Sequence, residues 1–461
     1  MRRFNYIETA VMLATVLQWL VLATITGTIV GTGTSLFLHA LHFLTDHPAV
    51  FIPLWVQMLL LPIGGLLNGL LLYYGRRANT TGLKDSAIAA VHHQNGRMPF
   101  KTVLVKPVAA LITLASGGSA GKEGPCSHIG GTLASGLGRV FGLNVELQKR
   151  LVACGVSAGF ASVFGTPIAG AIYGVEVLAI GRIRHDFLFP AIIAGVASFE
   201  ISKFWGIPYH YYAIQALPEF SEIIFLKTVI IGCVCGVAAW IFVDLVGWFK
   251  GAFNSLRERF NIWPPFMPLL GGILLSVLII FIPTDYLGLS THLMDDALEG
   301  QAMPYLGFFW KALLVAITLG SGFYGGIVTP QFVIGALVGS SVAPLLGIHP
   351  TLGAAVGLVS VVAAASNTPV AAILMGVELF GGVAGTVYVA GASIAAYLVI
   401  GHRSVYPDQV LAYPKSSWMQ VQPDLPLGQE KVRLSYGLLK WLSKYQLGRG
   451  LEKLWRRKPR R

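Results

Sequence analysis

Charge is what this chain has least of. Charged residues are 12% of the 461, against 54% hydrophobic. Cysteine is also scarce: Cys126, Cys154, Cys233 and Cys235 all lie in apolar segments. Cys233-Val-Cys235 has no second pair and no histidine at zinc spacing, so a disulfide framework and a zinc site are both excluded, and buried inert thiols are expected. No H-E-x-x-H set, nucleophile–base arrangement or catalytic aspartate pair is visible, which sets aside an intramembrane enzyme. No cofactor or metal is expected. There is no Gly/Ser-only tract, so the 54 glycines speak for closely packed helices rather than a flexible linker.

What the chain does have is long apolar runs, at residues 9–39, 51–74, 226–248 and 265–283. Several exceed the ~20 residues a helix needs to cross ~30 Å of hydrocarbon, and a spanning helix satisfies its own backbone, as lipid requires. Arg2-Arg3 before the first run reads as the start of a span rather than as a cleaved signal. The expectation is an all-α, multi-pass membrane domain over about 5–406, then a basic tail over 407–461. The segment 205–225 reads as an exposed loop. From Arg403 onward there are 13 Lys or Arg against 4 Asp or Glu, which favours a cytoplasmic tail. Arg2-Arg3 places the other terminus on the same side, giving an even number of spans. Leu434, Leu438, Trp441, Leu442 and Tyr445 fall at helical spacing and suit a helix lying on anionic lipid. A nucleic-acid partner is not expected.

The chain repeats itself. Ile112-Thr113-Leu114-Ala115-Ser116-Gly117 through Gly121 and Pro125 matches Ile317-Thr318-Leu319-Gly320-Ser321-Gly322 through Gly326 and Pro330. Lys106 and Lys311 keep that offset, as do Gly130 and Gly335. Thr166-Pro167 with Gly174-Val175-Glu176 matches Thr368-Pro369 with Gly376-Val377-Glu378. Two copies follow, about 55–200 and 265–400. Gly/Pro-broken segments in matching places of two halves point to a transported substrate.

Glu123 is the lone acid in such a broken segment, framed by Gly121, Lys122, Gly124 and Pro125. A helix N-terminus offers unpaired N–H groups and a partial positive charge, and proline is tolerated in its first turn. Two such termini, one per copy, would hold an anion without a full cation and still release it. A carboxylate at that place competes for the same N–H groups. In a soluble protein it would simply cap its helix; inside a membrane an unpaired acid points to function. Glu176 and Glu378 occupy repeat-related positions and read as helix braces rather than proton carriers. His92-His93 reads as a solvated loop pair rather than a metal site, His128 as packed against polar backbone, with titration near the pore the alternative, and Tyr324 as a residue of the outer mouth.

Gly121-Lys122-Glu123-Gly124-Pro125 resembles the gating-glutamate motif of the CLC chloride channels and chloride/proton antiporters. Gly326-Ile327-Val328-Thr329-Pro330 resembles that family's second anion-binding motif, and Tyr406 resembles the tyrosine that closes the central anion site from inside. The resemblance covers residues 10–410. It implies a CLC-type domain of inverted repeats with broken helices and a homodimer with one pore per subunit; the short loops point to a bacterial inner membrane. Carried over by position, Glu123 is the gate, and Lys122, Gly124, Ile327, Val328, Thr329 and Tyr406 surround the anion. Lys122 stands where most relatives have arginine. The family's first motif falls on Thr80-Thr81-Gly82-Leu83-Lys84-Asp85, with either Thr81 or Gly82 at its serine position. Val177 stands where coupled exchangers often keep an inner glutamate. The resemblance therefore implies transport of chloride, and of other small anions, gated by Glu123 and channel-like, with chloride/proton antiport as the alternative. The tail is too short for nucleotide-binding regulatory domains, so no ATP control is expected.

Overall fold

The computed structural model describes residues 2–45, 53–77, 83–212, 220–382, 385–430 and 433–435. Sixteen α-helices carry the fold among these residues. The first eight are α1 (Arg2–Thr45), α2 (Leu54–Arg77), α3 (Ala87–His93), α4 (Thr102–Ala115), α5 (Glu123–Val140), α6 (Val145–Phe164), α7 (Pro167–Glu176) and α8 (His185–Phe204). The rest are α9 (Glu222–Phe260), α10 (Phe266–Leu278), α11 (Thr291–Leu298), α12 (Gly307–Ser321), α13 (Val328–Val342), α14 (Pro350–Ala365), α15 (Pro369–Leu379) and α16 (Thr386–Val399).

Five helices are long and apolar enough to cross a membrane; α4, α10, α12, α14, α15 and α16 are apolar but shorter. The run 265–283 illustrates the difference. Its helix ends at Leu278, so a continuous apolar stretch becomes a partial span. Of the expected loop 205–225, the described part is irregular up to Tyr212, and α9 already begins at Glu222.

Polar groups within the spans are satisfied locally. In α1, Thr15, Thr24, Thr26, Thr32 and Thr34 each donate a hydroxyl to the carbonyl four residues back, the usual solution for threonine in a lipid-facing helix. Its apolar window is only 28% buried, whereas that of α13 is 83% buried; α1 forms the rim and α13 the sheathed centre.

The two copies pack as mates around a common centre. Added at Gly130, a Cβ would lie 2.0 Å from the carbonyl oxygen of Gly155 (α5 on α6); at Gly335 it would lie 2.2 Å from that of Gly357 (α13 on α14). Glycine is needed at both places because the backbones touch. Gly65 of α2 abuts the Pro268 carbonyl of α10, and Gly272 of α10 abuts the Leu61 carbonyl of α2. That reciprocity is the packing expected of an inverted duplication.

Residues 407–430, expected as the beginning of a basic tail, are part of the packed fold. β1 (Ala179–Ile180) pairs in parallel with β2 (Val410–Leu411), which pairs antiparallel with β4 (Leu425–Pro426); β3 (Met419–Gln420) pairs with β5 (Arg433–Leu434). Gln409 and Leu411 are fully buried. Leu434 lies in β5, and Leu438, Trp441, Leu442 and Tyr445 lie outside the described residues.

Candidate functional site

The site forms where two broken segments meet. After α4 ends, Gly117 takes a φ of +91°; after α12, Gly322 takes +108°. Both are left-handed values that glycine adopts freely. Each chain then turns inward to a helix start, α5 at Glu123 and α13 at Val328. The turns clasp each other: the Gly121 N–H donates to the Gly326 carbonyl (2.8 Å) and the Gly326 N–H to the Gly121 carbonyl (2.7 Å). A side chain on Gly124 would meet the Gly326 Cα at 2.8 Å, so both motifs require glycine at their contact.

Glu123 is 1% exposed and does not cap its own helix. Its Oε1 accepts from the backbone N–H of Val328 (2.5 Å), and its Oε2 accepts from the Thr329 hydroxyl (2.6 Å). Both donors belong to the first turn of α13, so the acid of one copy occupies the helix terminus of the other. Charge-assisted bonds to a helix N-terminus are strong, which makes this a seat for one anionic oxygen set at a time.

Beside the carboxylate lies a cavity of about 220 Å³, bordered by Glu123, Gly124, Ile327, Tyr406, Tyr173 and Val177. Its remaining wall includes Asp85, Lys106, His128 and Tyr324. Lys122, the residue before α5, does not line it. Thr81 and Gly82 lie outside the described residues.

Tyr406 is half-buried, and its hydroxyl pairs with that of Tyr173 at 3.0 Å. Tyr173 is fully buried and stacked on Phe160, with ring centroids 3.9 Å apart. Tyr173 was missed in the sequence because an aromatic on an apolar helix reads as core; its hydroxyl, three residues before Glu176, was the available signal. In sequence Lys106 is the repeat mate of Lys311, but the two differ in place. Lys106 lines the cavity, with Nζ 3.0 Å from the Asp85 carbonyl oxygen and 5.2 Å from the Tyr324 ring centre. Lys311 is fully buried elsewhere and donates to Ser119, Ser290 and the carbonyls of Tyr286 and Gly288.

His128 Nε2 sits 2.9 Å from the Thr102 hydroxyl. His92 is half-buried, its Nε2 3.0 Å from the Leu178 carbonyl oxygen; the expected solvated pair is solvated only at His93. The four cysteines are free thiols.

Glu176 and Glu378 exchange caps between the copies. Glu176, at the end of α7, accepts from the N–H groups of Val370 (3.1 Å) and Ala371 (2.8 Å), in the first turn of α15. Glu378, in α15, accepts from Ile168 (3.0 Å) and Ala169 (2.8 Å), in the first turn of α7. Glu176→Ala leaves two donors unpaired, of which that of Ala371 is buried. The expected loss is about 1–3 kcal/mol per donor, read as a lower unfolding midpoint in detergent. An unchanged midpoint would show that the cap contributes nothing.

A family model described as "Voltage gated chloride channel" matches residues 63–401. The chain is 34% identical to a "Chloride/fluoride channel protein" of Pseudomonas syringae, over 90% of this chain and 91% of that one. It is 30% identical to a "Putative chloride channel protein ClcB-like" of Ralstonia nicotianae, over 71% and 78%. Among solved structures, it is similar to a CLC-type fluoride/proton antiporter at a TM-score of 0.79 and 29% identity, covering 86% of this chain and 98% of that one. It also shares its fold with a slow cyanobacterial Cl-/H+ antiporter, at a TM-score of 0.70 and 22% identity, covering 83% and 94%.

Proposed function

The chain belongs to the voltage gated chloride channel family, and from that premise we propose that it exchanges a small halide for protons across the membrane. The observation that carries the reading is the bond pair from Val328 N–H and the Thr329 hydroxyl to Glu123. Those donors can hold a halide or the carboxylate, and a protonated Glu123 accepts from them far more weakly. Proton uptake by Glu123 therefore frees the seat for the anion, and anion departure favours return of the carboxylate. One residue thereby ties two fluxes to a single set of donors. Ile327, Gly124, Lys122 and Tyr406 complete the proposed anion path, with Tyr406 donating its hydroxyl to the ion nearest Tyr173.

Channel-like permeation, expected from Val177, is the weaker reading. A valine removes one proton acceptor and leaves Glu123 in place, and the 29% identical structure is described as an antiporter. The cargo is chloride or fluoride, the two halides named for the relatives at 34% and 29% identity. The proposed working unit is a homodimer, and the basic end of the chain is proposed to face the cytoplasm. These two points rest on the family resemblance and on the placement of positive charge.

The test is a reversal potential in proteoliposomes under opposed halide and proton gradients, run with chloride and again with fluoride. Antiport shifts the potential away from the halide equilibrium value toward a value set by both ions. A potential that tracks the halide alone, with both halides, overturns coupling. In the same assay Tyr406→Phe removes a hydroxyl donor to a charged ligand, an interaction of about 1.5–3 kcal/mol. Calorimetric halide affinity is expected to weaken by roughly an order of magnitude or more, with the protein still folded. Unchanged affinity would remove Tyr406 from the path.

A further inference from the structure

Lys415 is a half-buried amine behind Tyr406, and none of the described ion pairs includes it. It belongs to the folded segment after α16 and lies outside the spans. Its Nζ donates to Asn367 Oδ1 (2.6 Å) and to the carbonyl of Tyr397 in the last turn of α16 (2.7 Å), and it lies 3.6 Å from the Tyr397 ring centre. These partners are neutral.

The amine is wired to the seat of Tyr406. Asn367 forms the turn between α14 and α15 at a left-handed φ of +55°, and its amide donates to the Arg403 carbonyl (2.9 Å) and to Gln409 Oε1 (3.4 Å). Gln409 is fully buried and donates to the carbonyls of Val177 and Ser366, both at 3.0 Å. The Ser404 hydroxyl donates to Gln409 Oε1 (2.8 Å) and accepts from the Tyr406 N–H (3.0 Å). A continuous polar chain thus runs from Lys415 to the backbone of the residue that borders the anion cavity, passing the carbonyl of Val177.

We propose that Lys415 is a proton-binding site on the Tyr406 side of the protein, and that its charge state sets how firmly the anion is held behind Tyr406. An ammonium here adds positive charge behind the Tyr406 loop and tightens the bond to Asn367; the neutral amine does neither. The proton comes from water on that side and returns to it, and no transfer through the amide groups is required. Lys415 acts through Tyr406 and is therefore a positioning residue. Burial pushes its amine down to about 6, so it titrates in the physiological range. As pH rises through that value the charge is lost, and as pH falls it is gained.

The neighbouring ionisable groups leave it this role. His402 Nε2 accepts from the Lys415 backbone N–H (2.9 Å) and is itself held below its ordinary value, first by burial and then by Lys415. Glu430 acts on His402 electrostatically. Arg403 is engaged with Asp244 (3.0 Å) and the Trp240 ring. Glu176 acts on Tyr397 electrostatically, and its carboxyl oxygens accept from the α15 N–H groups rather than from Lys415.

The proposal rests on the halide-transport reading above, and its test keeps the two apart. Halide flux is measured at sub-saturating halide in proteoliposomes of the Glu123→Gln protein, whose gate no longer titrates, with pH stepped between about 5 and 7.5 on one side at a time. With Lys415 in place in that background, acidification on the Tyr406 side is expected to raise apparent halide affinity about fivefold, the low end of couplings between sites. Lys415→Met is expected to remain at the high-pH value throughout. Lys415→Arg, always charged, is expected to remain at the low-pH value. A merely structural lysine would instead lower rates in both variants while leaving the pH step in place. A step that persists in Lys415→Met overturns the proposal; if that variant does not fold, a persistent step in Lys415→Arg does so equally. Absence of any halide flux in the unaltered chain would instead sink the transport reading.

Discussion

In Glu123→Gln, halide movement is expected to persist while proton movement stops. Glutamine keeps the shape of the side chain and can still accept one bond, but it carries neither charge nor titrating proton. The Val328 N–H and Thr329 hydroxyl then face a neutral amide in place of a carboxylate that holds them at 2.5 and 2.6 Å. A charge-assisted bond is roughly twice as strong as a neutral one, so a halide displaces the amide readily at every pH. Paired measurements of halide efflux and proton uptake provide the check. The expected outcome is halide flux insensitive to pH at this site, no proton pumping under a halide gradient, and a reversal potential at the halide value. Proton transport surviving in Glu123→Gln would remove Glu123 from the exchange and require another titrating residue, with Asp85 and His128 candidates in the cavity wall.

Gly339→Ala is expected to cost more of the fold than any other single methyl discussed here. A Cβ there would lie 1.9 Å from the Gly353 carbonyl oxygen and 2.6 Å from its carbon. Both are backbone atoms, which no rotamer change can move. The α13–α14 pair must spread, and α13 carries the Val328 and Thr329 donors at its other end. Overpacking of a tight core typically costs about 1–3 kcal/mol, occasionally more. The check is the unfolding midpoint and size-exclusion profile in detergent, with Gly247→Ala as control. Gly247 lies in α9 with nothing within 4 Å of an added Cβ, so its variant should behave normally. A Gly339→Ala protein as stable as that control would show that the helices separate without penalty.

Much of this architecture was legible before any coordinates. The offset of 205 residues between the Gly121 and Gly326 turns, and of 202 between Glu176 and Glu378, revealed the duplication. Low charge and long apolar runs placed it in a membrane. Local chemistry placed Glu123 at a helix start, since the glycines and proline around it permit little else. The channel-like expectation built on Val177 was less secure. A single side chain states what it cannot do itself, whereas coupling depends on every titratable group around the path.

The class of protein and the positions of its broken helices were determined by the sequence itself, because each follows from interactions within about twenty residues of chain, and the inner repeat by the recurrence of whole motifs. Only the tertiary structure decided who meets whom. Glu123 bonds to α13 rather than to its own helix, Glu176 and Glu378 cap each other's helices, Tyr173 shares a hydroxyl bond with Tyr406, and Lys415 reaches Asn367. Each of these bonds joins groups whose separation in the chain says nothing of their distance in space. The physical reason is the inverted packing of the two copies. It brings helix termini some two hundred residues apart into a buried interior, where an unpaired donor is costly and the nearest carboxylate or hydroxyl satisfies it whichever copy it comes from.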